Sequence, residues 1–253
     1  MELITVPLSH YCERARWALD HAGLDYTEAH HLQMFHRRAV RPAGGRGTVP
    51  VLFTPDVGAL TDSADIVRFA DQRSAPGRRL YPDDPAVRAE VEELERTFAG
   101  DYGVETRRLV YHQWFPHRTL LLRYNAGRAP RGQRLALRLA YPLARRVVTR
   151  YYRINPATVA RGRALIEATL DQVSERLGDG RSYLCGDTFT AADLTFAAMS
   201  AILFWPSSYG VPVPAVEEMP ARLRADVEAW RAHPAIAFAA GLYRDHRGRA
   251  RRA

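Results

Sequence analysis

The stretch "LITVPLSHYCERARWALDHAG", residues 3–23, decides how the chain begins to fold. Leu3 to Val6 is a short apolar run of the kind that forms a buried strand, and Pro7 closes it because proline cannot donate to a ladder. Beyond Cys12, Ala15, Ala18, Leu19 and Ala22 recur at helical spacing, so one small apolar stripe runs along a helix that Gly23 ends. The stretch therefore predicts strand, turn and helix, with Ser9 and Cys12 where the strand hands over.

Working outward, Tyr26 to His31 reads as a second strand, and a polar helical or irregular stretch from Met34 to Val40 leads into the glycine-rich "RPAGGRG", residues 41–47. In "TVPVLFTPDVGALTDSADIVRFADQR", residues 48–73, two apolar runs flank a Pro-Asp-Val-Gly turn, which predicts an antiparallel hairpin. A helix follows, capped by Asp62 or Ser63, with Ile66, Phe69 and Ala70 on its apolar face. Strand signals stop there. Residues 74–86, "SAPGRRLYPDDPA", concentrate Pro, Gly and charge and read as a linker. Helices are expected over Val87–Phe98, Arg107–Tyr124, Arg134–Tyr152, Thr158–Leu177, Ala191–Phe204, Ala221–Ala232 and Pro234–Tyr243. The chain divides on this reading into an α/β domain at 1–75, a linker at 76–86 and an all-α domain at 87–253.

Composition removes whole mechanisms. All 36 basic residues are arginine, so no lysine Schiff base, Walker lysine or kinase-type lysine is available, and GxxxxGK[ST], GxSxG and HExxH patterns are missing. The two cysteines, Cys12 and Cys185, are too few for a disulfide framework or a four-ligand zinc site. His30, His31 and His36 are too loosely spaced for a metal site, so none is expected. No long uncharged apolar run occurs, and Met1-Glu2-Leu3 lacks the basic start of a signal peptide, which makes a cytoplasmic protein the expectation. The net charge of +8 is uneven: fourteen arginines and no acidic residue lie between Arg107 and Arg163, leaving 22 arginines against 28 acidic residues elsewhere. Such a block suits an acidic ligand or an anionic membrane surface; with no RNP-like aromatics or zinc-finger spacing, nucleic acid ranks last.

Several residues stand where chemistry is feasible. At a helix start, unpaired N–H groups and the positive dipole end favour an anion. Ser9 suits either a cap, which the local pattern alone favours, or a donor to a thiolate held at that helix end. Cys12 is either a reactive thiol or a small buried residue, the second being the plainer reading. Tyr11 is the next donor candidate, and His10 either meets an acidic ligand or has no role. A cis bond at Val49-Pro50 would turn Val49's backbone outward toward a peptide-like ligand, although trans is the commoner form. Asp62 and Ser63 can cap their helix and also hold the α-amino acid end of a ligand. Thr190 and Asp193 form a capping box with a structural role. Tyr111, Trp114, Phe115 and Tyr124 are candidates to line an apolar pocket.

Taken in order, "SHYCERARWAL", "GTVPVL", "TDSADIVRF" and "FTAADLTFAA" resemble the first-helix motif, cis-proline strand, acidic-Ser motif and C-terminal capping box of the cytosolic glutathione S-transferase superfamily, in a serine-type, bacterial-like form. The resemblance implies a thioredoxin-like N-terminal domain, an all-α C-terminal domain and a homodimer. It further implies glutathione, or another low-molecular-weight thiol, as co-substrate. By similarity Ser9, with Tyr11 and Cys12 beside it, would serve the thiolate, Val49 and Pro50 the cysteinyl part, and Asp62 and Ser63 the γ-glutamyl end. Serine at the first motif position points to addition or substitution at an electrophilic carbon. Disulfide exchange through Cys12 ranks lower. The alternative is a non-catalytic module of the same fold that binds a partner or an anionic membrane through its arginine-rich helices. Two departures stand out: Asp62 replaces the usual Glu, and the basic helical region is longer than the family leads one to expect.

Overall fold

In the computed structural model, which describes residues 1–44 and 47–247, the first strand is β1 (Glu2–Thr5), buried along Leu3, Ile4 and Thr5. Helix α1 (His10–His21) crosses over to β2 (Thr27–His30), which pairs parallel to β1. A short helix α2 (His36–Val40) precedes the hairpin of β3 (Val51–Thr54) and β4 (Gly58–Leu60), and α3 (Ser63–Gln72) completes the α/β half. The sheet order is β2-β1-β3-β4, with β3 antiparallel to both neighbours. Of the glycine-rich loop, Gly45 and Arg46 lie outside the described residues, as do residues 248–253 of the expected helical domain.

The segment 74–86 is pinned at Leu80 and Tyr81. Asp71 accepts hydrogen bonds from the Leu80 and Tyr81 amides, and the Leu80 carbonyl accepts one from the Ala191 amide. Beyond it every regular element among the described residues is helical: α4 (Pro85–Thr97), α5 (Gly103–Trp114), α6 (Arg118–Ala126), α7 (Arg131–Tyr151), α8 (Pro156–Leu177), α9 (Ala191–Phe204), α10 (Ala221–Arg231) and α11 (Pro234–Leu242). An α/β half followed by an all-α half is the architecture the sequence pattern predicts.

Two local outcomes differ from the sequence reading. First, α1 is buried on both sides: Ala15, Ala18 and Leu19 are covered as predicted, but so are Glu13, Arg14, Arg16 and Trp17. The reason is that α3 packs on one side and α9 on another, so the polar face meets protein and its charges find partners. Arg14 pairs with Glu95, Arg16 with Glu28 and Glu13, and Arg247 with Glu13 and Asp20. Second, the single helix expected over 107–124 is two, because Pro116 has no N–H and its ring obstructs the preceding turn; the chain breaks between Trp114 and Arg118. Pro142, by contrast, sits inside α7 without ending it, in keeping with the single helix expected over Arg134–Tyr152. Proline leaves the Arg138 carbonyl without its i+4 amide, and the Arg118 guanidinium donates to that oxygen instead.

Helix α9 is buried along its whole length and forms the axis of the main core. Its start is the predicted capping box, in which the Thr190 amide and hydroxyl both donate to Asp193 at 2.9 Å, while the Leu184 amide donates at 2.8 Å. Burial pushes the Asp193 carboxyl up to about 6, against these hydrogen bonds. A second, smaller core gathers Trp114, Phe115, Leu121, Tyr141, Val148, Ile202 and Trp205 between α5, α6, α7 and α9. The cleft described next opens onto this second core.

Candidate functional site

Strand register brings the scattered motifs to one edge of the sheet. Ile4 is paired with Val51, and Leu52 with Leu60. Continuing those ladders sets Thr5, Pro50 and Asp62 level with one another, and Ser9 follows Thr5 across a short turn. Three segments far apart in sequence thus end side by side, at the carboxyl ends of β1 and β4. In α/β sheets this is the edge where helix starts and loops leave room for ligands.

Ser9 is the cap of α1, with extended backbone angles, and its Oγ accepts a bond from the Cys12 amide at 3.4 Å. The hydroxyl is half-buried and lines the cleft. Cys12 is fully buried; burial pushes its thiol up, opposed by the charge of Arg16, the Ser9 hydroxyl and the Val6 backbone. That places Cys12 under the turn, away from solvent. Tyr11 donates its hydroxyl to the Ala99 carbonyl at 2.8 Å, tying the turn to the helical half. Its ionisation is pushed up by burial and pulled down by Arg107 and Arg14, while Asp62 pushes it up.

His10, open to a ligand on the sequence reading, is instead buried and bonded through Nε2 to the Gly103 carbonyl at 2.9 Å. Burial, with Arg107 adding, pushes its pKa down to about 3, so the ring is neutral at physiological pH. Gly103 leaves little room there: a Cβ would fall 2.8 Å from the Tyr11 hydroxyl and 2.8 Å from the Met199 sulfur. The first turn of α1 and the start of α5 are thus pressed together, which keeps Ser9 in place.

At the neighbouring segments, the Val49-Pro50 bond is cis, with Val49 half-buried and Pro50 buried. Asp62 is exposed and caps α3, its Oδ1 accepting from the Ala64 amide at 2.8 Å. Ser63 is buried, and its Oγ accepts from Arg14 Nη1 at 3.1 Å. Arg14 is in turn held by Glu95, which also receives the Tyr81 hydroxyl. The Asp62–Ser63 pair therefore sits on a fixed floor of buried charges.

Above Ser9 the cleft walls are mainly apolar and aromatic: Tyr111, Trp114, Phe115, Tyr141 and Trp205, with Leu137, Ala144 and Val148 from α7. Tyr124, a candidate on the sequence reading, lies outside the cleft lining, half-buried and bonded to Glu218. Tyr111 is pushed up to about 12 by burial and accepts from Gln33 at 3.2 Å, and Asn125 donates to Gln33 at 2.9 Å. The charged groups in the lining are Arg107 and Arg145, with no carboxylate among the described residues. Arg107 stacks over the Tyr152 ring, 4.4 Å from its centroid, and its Nε is buried without a hydrogen-bond partner. A half-buried cation beside a helix start makes this end of the cleft favourable to an anion. Sequence reasoning gave Arg107 no individual role because it was one of fourteen in a run; what marks it is its place in the cleft.

Two family models match the chain: the glutathione S-transferase N-terminal domain over residues 3–78 and the glutathione S-transferase C-terminal domain over residues 156–233. Comparison with curated proteins returns no match. Among solved structures, the chain is similar to glutathione S-transferase I from maize in complex with an atrazine glutathione conjugate, at 18% identity, 98% of this chain, 94% of that one and a TM-score of 0.64. It is similar also to a glutathione S-transferase from Methylobacillus flagellatus with glutathione bound, at 18% identity, 98% of each chain and a TM-score of 0.62. A glutathione S-transferase from Sinorhizobium meliloti matches at 21% identity over 93% of this chain and 89% of that one, with a TM-score of 0.58. At these identities the likeness concerns the fold.

Proposed function

The chain belongs to the cytosolic glutathione S-transferase superfamily, and on that footing we propose that it binds glutathione and delivers its sulfur to an electrophilic carbon held in the cleft. One observation supports the reading: the strand register, continued by one or two residues, sets Pro50 and Asp62 level with the end of β1, and Ser9, just beyond that end, lines an apolar cleft that contains cations and no carboxylate among the described residues.

The roles follow from what each group can do. Ser9 donates its hydroxyl proton to the thiolate, which the amino end of α1 also favours, and a charge-assisted bond of this kind lowers the thiol pKa. The Arg107 charge adds to that stabilisation. Tyr11 and Cys12 hold the turn, the one through Ala99 and the other by filling the space under Ser9. Val49 pairs its backbone with the cysteinyl part of the tripeptide. The γ-glutamyl ammonium sits on Asp62 and its carboxylate at the start of α3, where Ser63 is steadied by Arg14. The thiolate then attacks the electrophilic carbon: a C–S bond forms, and either a leaving group departs with its electron pair or, in addition, the neighbouring carbon takes a proton. The aromatic walls suit a flat apolar electrophile.

The test is thiol conjugation to an activated aryl halide by the wild type and Ser9→Ala, together with the melting temperature in a panel of biological thiols. Glutathione is expected to raise the melting temperature most, and the variant to need a higher pH for the same rate. An unchanged rate and pH profile in Ser9→Ala would remove Ser9 from the mechanism. Stabilisation by a different thiol would replace glutathione.

A further inference from the structure

The outer face of α7 carries a surface that thiol chemistry leaves unused. Leu135, Leu139, Leu143 and Val147 recur every four residues, and they are 58, 75, 63 and 38% exposed. Scattered apolar residues on a surface are ordinary, but a continuous ridge of them marks a contact face. The same helix turns Tyr141 and Val148 inward to the second core, so α7 is apolar on two sides, and only one is covered.

The charges on this helix indicate what covers the other. Arg131, Arg134 and Arg138 line one groove beside Leu135, and Arg145, Arg146 and Arg150 line another beside Pro142. Among the described residues, none of these six is ion-paired, and the chain has no Asp or Glu from 107 to 163. By contrast, Arg123 and Arg163 on neighbouring helices do reach carboxylates. Arg134, Arg138, Arg146 and Arg150 fall on one i, i+4 row directly beside the leucine row, and a leucine ridge with unpaired arginines along its flank is the pattern of a helix that lies in the plane of an anionic membrane, with apolar side chains at the acyl boundary and cations on the phosphates. Guanidinium groups bind phosphate through paired hydrogen bonds, which suits arginine to this task. No helix among the described residues is long and apolar enough to cross a membrane, and six arginines keep α7 from doing so. A second copy fits this face poorly, because the same face of a two-fold partner brings further arginines and no carboxylate to meet them.

We propose that α7 docks the protein flat on an anionic lipid bilayer, with Leu135, Leu139 and Leu143 in the acyl boundary and the flanking arginines on lipid phosphates. The inner face of the same helix walls the cleft through Leu137, Ala144 and Val148. Docking therefore sets the cleft one helix diameter, about 10 Å, from the lipid.

The test is co-sedimentation of the full chain with vesicles of phosphatidylcholine alone and of phosphatidylcholine with phosphatidylserine. The protein is expected to pellet with the mixed vesicles at low salt, to remain in solution with the neutral ones, and to be released as salt rises. Leu139→Asp with Leu143→Asp is expected to weaken binding at least about ten-fold, with circular dichroism unchanged because both sites face water; Arg138→Gln with Arg146→Gln is expected to weaken it as well. Failure of the wild type to pellet overturns the proposal. So does retention of binding in the leucine variant, which would leave a bare charge effect. A fall from dimer to monomer in that variant by light scattering also overturns it, because the ridge would then be covered by a second copy.

Discussion

The arginines of α1 and those of α7 are chemically identical and do opposite things. Arg14 and Arg16, with Arg247 brought back from the far end of the chain, are buried and paired with Glu95, Glu28 and Glu13. The α7 arginines face water in a segment with no acidic residue. A buried guanidinium is tolerated only where a carboxylate compensates its lost hydration. An exposed one is free to serve a partner outside the chain. The first set fixes the floor under the candidate thiol site, and the second forms a face.

The difference can be broken most strongly at Arg247. Arg247→Ala leaves Glu13 buried with a lost partner and is expected to destabilise the fold by about 3–5 kcal/mol, measured by urea denaturation. If the loss is below about 1 kcal/mol, the buried network is not holding the two halves together.

Acid sharpens the comparison next. His10 is held neutral, its pKa pushed down to about 3, whereas in the unfolded chain it titrates near 6.5. Between these values the unfolded state takes up a proton that the folded state refuses, so stability is full above about pH 6.5 and falls as pH is lowered. The loss attributable to His10 is expected to reach about 3 kcal/mol by about pH 4, and His10→Gln should flatten that part of the curve relative to wild type. Parallel curves for the two proteins would remove His10 as the cause.

Ser9→Ala is expected to cost about ten- to a hundred-fold in the conjugation rate at neutral pH, the range for a hydrogen bond to a charged group. Arg138→Gln closes the series: as an exposed and unpaired site, it should shift stability by no more than about 0.5 kcal/mol. A large loss there would mean that α7's arginines are structural after all.

Much of the frame was legible because it is written locally. The β1-to-α1 handover, the Pro-Asp-Val-Gly hairpin, the Asp62 cap and the Thr190–Asp193 box each depend on residues within a few positions of one another. The order of those pieces sufficed for the family. The Pro116 break was missed although proline carries its own signal, because the apolar periodicity on both sides of it reads as one helix. Pro142 shows the converse: it has the same local signal, but Arg118 from another helix supplies the missing donor.

What the sequence determined on its own is the succession of elements, their caps and the residues fit to meet a thiol, because hydrogen-bond geometry and side-chain period act over one or two turns. Tertiary structure alone decided that α1 is covered on both sides, that His10 is locked against Gly103 while Arg107 enters the cleft, and that the leucines of α7 face outward. Periodicity says which residues share a face of a helix; only the packing of distant segments decides whether that face meets protein, ligand or solvent.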